Sequence, residues 1–126
     1  MLWRHVALVA LGGAIGSASR YLLAGAVHHV APSTFPYGTF VVNVMGCLAF
    51  GLLAGVSEER ALVLPPVRVF LLVGILGGFT TFSSFTYETF SLMRDGQAGA
   101  AFANAAGQVL AGFAALWAGY VLTRIG

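Results

Sequence analysis

The chain has 126 residues, of which 59% are hydrophobic and only 8% are charged, whereas an ordinary soluble domain is about 45–50% apolar and about 25% charged. This composition excludes a soluble globular protein. The net charge of +2 comes from scattered arginines without any lysine, which argues against a nucleic-acid-binding protein, since such proteins need clustered basic residues.

The apolar residues fall into four segments, at approximately 5–27, 37–56, 68–93 and 99–122. Since a membrane-spanning helix needs roughly 20 apolar residues, we expect residues 1–126 to form one domain of four transmembrane helices with short loops. The predicted fold class is an all-α membrane protein. The first segment has the arginine-then-apolar pattern of a signal peptide. Three further spans follow it, however, and we expect it to remain as a helix.

Arg20 lies in the later part of the first span. A charged side chain inside a membrane is costly and marks a functional site by default. A long arginine side chain can also extend to the nearer interface and anchor the helix. Both roles stay open, and they are compatible, because an arginine near the interface would draw anions toward a vestibule.

Asn43 lies near the centre of the second span, so its side chain is too far from either membrane interface to reach water. Its amide can bridge two helices, which is a common role for asparagine in membranes. It can also donate N–H groups to a bound anion. Cys47 in the same span is the only cysteine, so no intrachain disulfide is possible.

The third span contains the polar, glycine-broken stretch GILGGFTTFSSFTYE at residues 74–88. Irregular, hydroxyl-rich chain at membrane depth survives only where it is buried in protein or lines an ion pathway. The adjacent Gly77 and Gly78 favour a backbone break beside the threonine and serine run. We therefore predict two helical pieces with a break near the middle of this span.

Two phenylalanines and a glutamate follow the predicted break. Phe82 and Phe85 are three residues apart and share one face of a helix. Aromatic stripes usually pack, but the positive edge of a ring can also face a dehydrated anion. Glu88, one turn further, is either an intramembrane carboxylate coupled to protons or an acceptor for nearby hydroxyls and amides.

The last span carries Asn104 and Gln108 one turn apart, which places two amides on one helix face. Elsewhere the spans are rich in glycines four residues apart, such as Gly12 and Gly16. Small residues at this spacing let helix backbones approach closely in lipid, and we interpret most of these glycines as packing positions.

No catalytic constellation and no metal-ligand spacing occur in the sequence, so we do not expect an enzyme. Two functions fit the polar residues inside the spans. The first is a small anion channel built from asparagine, hydroxyls and phenylalanines around a broken helix. The second is a proton-coupled exporter of the small multidrug kind, which would need a glutamate near the middle of the first helix, where this chain has none. A purely structural assembly subunit would leave the GGFTTFSSF break unexplained.

The chain resembles the Fluc (CrcB-type) fluoride channels in three motifs: GGAIGSASRY in the first span, GTFVVNVMG in the second and GILGGFTTFSSFTYE in the third. The resemblance covers nearly the whole length. It implies a bacterial inner-membrane (plasma-membrane) protein that exports fluoride passively and forms an antiparallel, dual-topology homodimer in the lipid bilayer. Two fluoride pores, each built from both subunits, and a structural sodium ion (Na+) at the dimer centre are also implied.

The resemblance assigns roles to residues around the break. Backbone carbonyls of Gly77 and Thr80 would hold the sodium ion, and the ring edges of Phe82 and Phe85 would meet fluoride. Asn43 would supply the pore amide.

Further positions of the resemblance lie on either side of the break. Arg20 matches the arginine at the pore mouth. Polar positions in or beside the pores, and the acidic position after the break, correspond to Thr39, Ser83, Ser84 and Glu88. The fluoride path would continue along Asn104 and Gln108, although the family tends to show a serine in place of Gln108 and sometimes a tyrosine in place of Asn104.

The arginines predict the orientation of the chain only weakly. With four spans, the termini and the middle loop share one side of the membrane, and they carry Arg4, Arg60, Arg68 and Arg124. The other side carries Arg94 and the end of the helix that holds Arg20. Counting positive charges places the termini in the cytoplasm, whereas dual topology would expect almost no bias.

Overall fold

The computed structural model describes residues 1–60 and 63–125 of the chain. In this part of the chain, four helical spans are long and apolar enough to cross a membrane. The helices are α1 (Leu2–Val30), α2 (Tyr37–Arg60), α3 (Pro65–Arg68), a π-helix (Val69–Leu76), α4 (Gly77–Phe79), α5 (Phe82–Arg94) and α6 (Ala98–Leu122). The third span consists of the pieces from α3 to α5. The predicted all-α membrane fold with an interrupted third helix is confirmed.

The spans pack in two main pairs, α1 against the first half of the third span and α2 against α6. Glycines allow both contacts. A Cβ atom on Gly12 would lie 2.7 Å from the Phe70 carbonyl oxygen, and one on Gly16 or Gly51 would overlap a carbonyl oxygen of the facing helix. Close backbone packing at these glycines is thereby confirmed.

The break in the third span lies at Thr80 and Thr81, whose backbones are extended, with φ/ψ of −90°/158° and −147°/122°. The position that we predicted from the glycine pair is wrong, because Gly77 and Gly78 are helical. Gly78 is small for another reason: a Cβ atom there would lie 2.8 Å from the carbonyl oxygen of Gly13 on α1. The close approach at Gly78 docks the helix on α1 just before it breaks.

Helix α5 begins at the break with a side-chain cap. The Thr81 hydroxyl accepts a hydrogen bond of 3.2 Å from the backbone N–H of Ser84, which satisfies one of the four N–H groups that a helix start leaves unpaired. The helix ends at a tight turn in which Gly96 has a φ of 81°, a conformation that glycine adopts at little cost. The direction of α5, and hence of its side chains, is fixed at both ends.

The loop between α1 and α2 lies beside the turn between α5 and α6. The Thr34 hydroxyl donates to Oε1 of Gln97 at 3.2 Å, which joins the two connections on one side of the four-helix unit. Next to this contact, Nε of Arg94 lies 3.2 Å from the Asp95 carboxylate. Part of the arginine charge on this side is therefore neutralised locally.

Candidate functional site

Asn43 forms hydrogen bonds with the backbone of Thr81 at the break. Its Oδ1 accepts from the backbone N–H of Thr81 at 2.8 Å, and its Nδ2 donates to the Thr81 carbonyl at 3.0 Å. A backbone group left without a partner in hydrocarbon costs several kcal/mol. The side chain of one helix thus replaces the backbone partners that the broken helix has lost.

Further hydrogen bonds continue from Asn43 across α6 to α5. Asn43 Nδ2 also donates to Gln108 Oε1 at 2.8 Å, and Gln108 Nε2 donates to Asn104 Oδ1 at 2.9 Å. Asn104 Nδ2 then donates to the Thr89 hydroxyl at 2.9 Å, which itself donates to the Phe85 carbonyl at 2.8 Å. We call these four side chains (Asn43, Gln108, Asn104 and Thr89) the amide ladder.

The amide ladder joins three residues that the sequence singled out with one that it did not. Asn104 is completely buried and Gln108 is 6% exposed, so neither faces lipid. The sequence did not point to Thr89, because this residue lies after the polar stretch. A threonine in a helix commonly bonds back to the carbonyl four residues earlier, so its presence there needs no functional explanation. Its spacing of four from Phe85 was the available signal.

Phe82 and Phe85 form a ring pair beside the amide ladder. Their ring centroids are 5.9 Å apart and the planes are tilted by 50°, between the stacked and the edge-to-face arrangements of aromatic pairs. Together with Asn43, Gln108 and Thr81 they line a cavity of about 360 Å³, which we call the ring cavity. The structure thus brings the predicted ring edges and amides to one place.

A second cavity of about 750 Å³ opens beside the α1–α2 loop and reaches inward to Thr81. We call it the vestibule. Three of the predicted site residues, Arg20, Thr39 and Glu88, line it. One carboxylate oxygen of Glu88, Oε1, is buried without a hydrogen-bond partner among the described residues. Because Thr81 lines both cavities, the break separates the vestibule from the ring cavity.

Arg20 contacts the end of the helix just before the break. Its Nε donates to the Gly78 carbonyl at 3.2 Å, and the Ser17 hydroxyl approaches the same oxygen at 3.5 Å. A regular helix would have paired that carbonyl with the residue four positions later. A cation near the carbonyl end of a helix is favourable, so Arg20 stabilises the end of α4 while its side chain lines the vestibule.

The two serines lie apart from the ring pair. Ser83 and Ser84 line a shallow depression with Tyr87 and Glu88, on a different face of α5 from the ring cavity. Only the backbone N–H of Ser84 takes part in the break, through the cap on Thr81. The structure therefore places these predicted site residues on the face of α5 that carries Glu88, not on the face that lines the ring cavity with Phe82 and Phe85.

The carbonyls of Gly77 and Thr80 accept no hydrogen bond from within residues 1–60 and 63–125. The N–H of Thr81, the regular helical partner of the Gly77 carbonyl, bonds to Asn43 instead. Carbonyl oxygens are hard ligands suited to hard cations. Two free carbonyls from one chain fit part of a cation site but do not complete one.

Comparison with known protein families gives a match over most of the chain. Residues 7–120 match the family model described as CrcB-like protein, Camphor Resistance (CrcB). The chain belongs to the CrcB-like family. It is a multi-pass bacterial membrane protein, as the four spans and the family together indicate.

Relatives of this CrcB-like chain carry the name fluoride-specific ion channel FluC. The protein of that name from Nitratidesulfovibrio vulgaris is 54% identical over 97% of this chain and 98% of the relative. Those from Methylobacillus flagellatus and Solibacter usitatus are 45% and 48% identical, over 96% and 93% of this chain and 95% and 96% of the relatives. The resemblance to the Fluc family is confirmed. The relatives are named as channels, in agreement with our expectation that the protein is not an enzyme.

Proposed function

We propose that this CrcB-like chain is a fluoride-selective ion channel that passively exports cytoplasmic fluoride. The observation that carries the proposal is the cavity at the helix break, where a ring pair meets the buried amides of Asn43 and Gln108. The name of the relatives points to the same ion. Undissociated hydrogen fluoride crosses lipid and ionises inside the cell, so a passive leak of the anion is sufficient and no energy-coupling device is needed.

The chemistry of the two cavities suits a small, strongly hydrated anion. A selective pore must replace the water around the ion with fixed partners, yet bind weakly enough to release it. Ring edges carry partial positive charge, and hydroxyls and amides donate hydrogen bonds. None of these groups holds a full charge that would trap the ion. Arg20 lies in the vestibule, where its field concentrates anions before they reach the break.

We propose that fluoride passes from the vestibule, past Thr39 and Glu88, to Phe82, Phe85 and Asn43, with Asn104 and Gln108 behind them. Both N–H groups of Asn43 already have partners. Fluoride can accept from this amide by taking the place of the Gln108 oxygen, an exchange that leaves the Thr81 carbonyl paired. This exchange makes binding at Asn43 reversible, which conduction requires.

The proposed channel is an antiparallel homodimer with two pores. The ring cavity of a single chain is open on one side, and Phe82 is 76% exposed. A pore that strips water from its ion needs a closed wall, and a second copy of the chain would supply it. The resemblance to Fluc channels supplies the antiparallel arrangement.

A structural sodium ion at the dimer centre completes the proposal. Gly77 and Thr80 of one chain offer two free carbonyls, and the same pair from a second chain would double the set. The ion would neutralise carbonyl dipoles that otherwise face each other in lipid.

The alternative of a proton-coupled exporter is not favoured. Helix α1 contains no acidic residue, and the relatives are named as channels. Among the described residues that line the vestibule, the only other carboxylate that could share a proton relay with Glu88 is Asp95, at the outer end.

Fluoride efflux from liposomes that contain the purified protein tests the proposed function. We expect rapid loss of fluoride and retention of chloride, without a proton gradient. Equal loss of both ions would overturn fluoride selectivity, and loss that occurs only with an imposed proton gradient would favour the exporter. Absence of fluoride loss would refute the channel.

A further inference from the structure

The amide ladder has only one possible polarity. The Thr81 backbone presents its N–H and its carbonyl to Asn43, so the oxygen and nitrogen of the Asn43 amide cannot exchange places without losing both bonds. The remaining N–H of Asn43 then requires an oxygen from Gln108, which in turn directs the Gln108 nitrogen toward the Asn104 oxygen. Each amide orientation dictates the next.

The far end of the ladder imposes the same polarity. The Phe85 carbonyl can only accept, so the Thr89 hydroxyl must donate to it and can offer only lone pairs to Asn104. A hydroxyl has one donor and two acceptor sites, and this arrangement uses the donor. Asn104 must therefore turn its nitrogen toward Thr89 and its oxygen toward Gln108. Both ends agree, and no link is frustrated.

We infer that Thr89 is a positioning residue for the ion pathway. It does not line the ring cavity, but it ends the amide ladder and so holds, from the far end, the amide that pairs with the break beside the ring pair. Without the hydroxyl, the buried Asn104 Nδ2 loses its acceptor, and only the Thr81 backbone still fixes the orientation of Asn43 and Gln108. Connected polar networks of this kind act as units. The consequence for ion flux rests on the proposed channel function.

The chain offers a matched control on the same helix. Thr86 also bonds back to carbonyls of α5, those of Phe82 and Ser83 at 3.1 and 2.9 Å, but it is exposed and takes no part in the ladder. Thr89→Val and Thr86→Val make the same chemical change three residues apart. Thr89→Ser keeps the hydroxyl and removes only a methyl group.

We expect Thr89→Val to lower fluoride efflux by roughly 3- to 10-fold, the factor that one lost hydrogen bond corresponds to. Thr89→Ser should restore the rate to within about twofold of the parent, and Thr86→Val should stay within the same range. A Thr89→Val rate equal to that of Thr86→Val, or a slow Thr89→Ser, would overturn the inference.

Coupling distinguishes a positioning role from local packing. Gln108→Met cuts the ladder nearer the break while keeping the length of the side chain. If Thr89 acts through Gln108, the double variant should be no slower than Gln108→Met alone, because the ladder is already cut. Multiplication of the two single effects would show that Thr89 acts independently and would contradict the inference.

Hydrogen exchange at the Thr81 amide provides a readout that does not depend on transport. This N–H is held by Asn43, so Thr89→Val should speed its exchange while Thr86→Val should not. Unchanged exchange in Thr89→Val would refute the positioning role even in a conducting protein. Altered exchange in a protein that conducts no fluoride would refute the proposed function and leave the positioning of the break established.

Discussion

Replacing Asn43 by alanine removes three hydrogen bonds at once: two to the backbone of Thr81 and one to the side chain of Gln108. Hydrogen bonds between membrane helices contribute about 0.6 kcal/mol each on average, which gives about 2 kcal/mol for three. The Thr81 N–H and carbonyl also lose their partners at membrane depth. An unsatisfied buried group adds about 1–3 kcal/mol, so the two groups add about 2–6 kcal/mol, and we expect Asn43→Ala to lower the free energy of unfolding by about 4–8 kcal/mol.

The same variant should lose fluoride efflux by more than about tenfold, since about 1.4 kcal/mol of lost orientation already corresponds to a factor of ten. The assays are reversible unfolding in mixed detergent micelles, followed by circular dichroism at one fixed protein concentration, and efflux from liposomes. Met45→Ala is the matched control, because Met45 lies on the same helix, is 48% exposed and has an apolar thioether side chain that takes no part in the amide ladder.

Stability and flux together decide what Asn43 does. If Asn43→Ala unfolds as easily as Met45→Ala, the pairing with the Thr81 peptide does not support the break. If it is destabilised as expected but conducts normally, the break can move without disturbing the ion path. The second result would refute our assignment of Asn43 to the pore while leaving its structural role intact.

Three further changes test packing, pore chemistry and topology. Gly16→Ala should destabilise the protein by about 1–3 kcal/mol, because its Cβ would overlap a backbone oxygen that cannot rotate away. Gly13→Ala is the control, since the space around its Cβ is open. Equal melting temperatures of the two variants would contradict the close packing at Gly16. Phe82→Ile should slow fluoride efflux roughly 3- to 10-fold by removing a ring edge, and unchanged efflux would exclude Phe82 from the path. Arg94→Cys in a Cys47→Ser background should react only in part with an impermeant thiol reagent in intact cells and react fully once the membrane is permeabilised. Complete reaction or complete protection in intact cells would exclude dual topology.

The four spans could be predicted from composition because lipid leaves the chain little choice. Every backbone polar group inside a bilayer must be paired within the protein, so long apolar segments become helices. The interruption of the third helix was also predictable, since residues 74–88 combine glycine with many hydroxyls. These conclusions follow from local sequence and from the properties of the membrane.

The position of the break was not predictable from glycine alone. Gly78 allows the close contact with α1. This contact is a tertiary feature, and the conformational freedom of glycine does not predict it. The usable local signal was Thr81, which lies three residues before Ser84, at the spacing of a helix cap. The role of Thr89 was hidden for a similar reason, since its partner Asn104 comes from another helix.

Several polar residues of the site supply hydrogen-bond partners that the broken helix lacks. A break at Thr80 and Thr81 leaves several backbone groups without helical partners, and side chains from other helices satisfy those of two residues: Asn43 pairs with Thr81 and Arg20 with Gly78. The carbonyls of Gly77 and Thr80 have no partner among residues 1–60 and 63–125, and these are the two groups that we propose for the sodium ion.

The repair of the break also creates the chemistry proposed for the ion. Side chains that supply donors to a broken helix are the same kinds of groups that replace water around an anion, and the ladder behind Asn43 holds them in one orientation. The structural role of these positions and the role that we propose for them in the ion path therefore coincide. A loss of flux in a variant at the break implicates the pore only when unfolding and hydrogen exchange show that the break has kept its place.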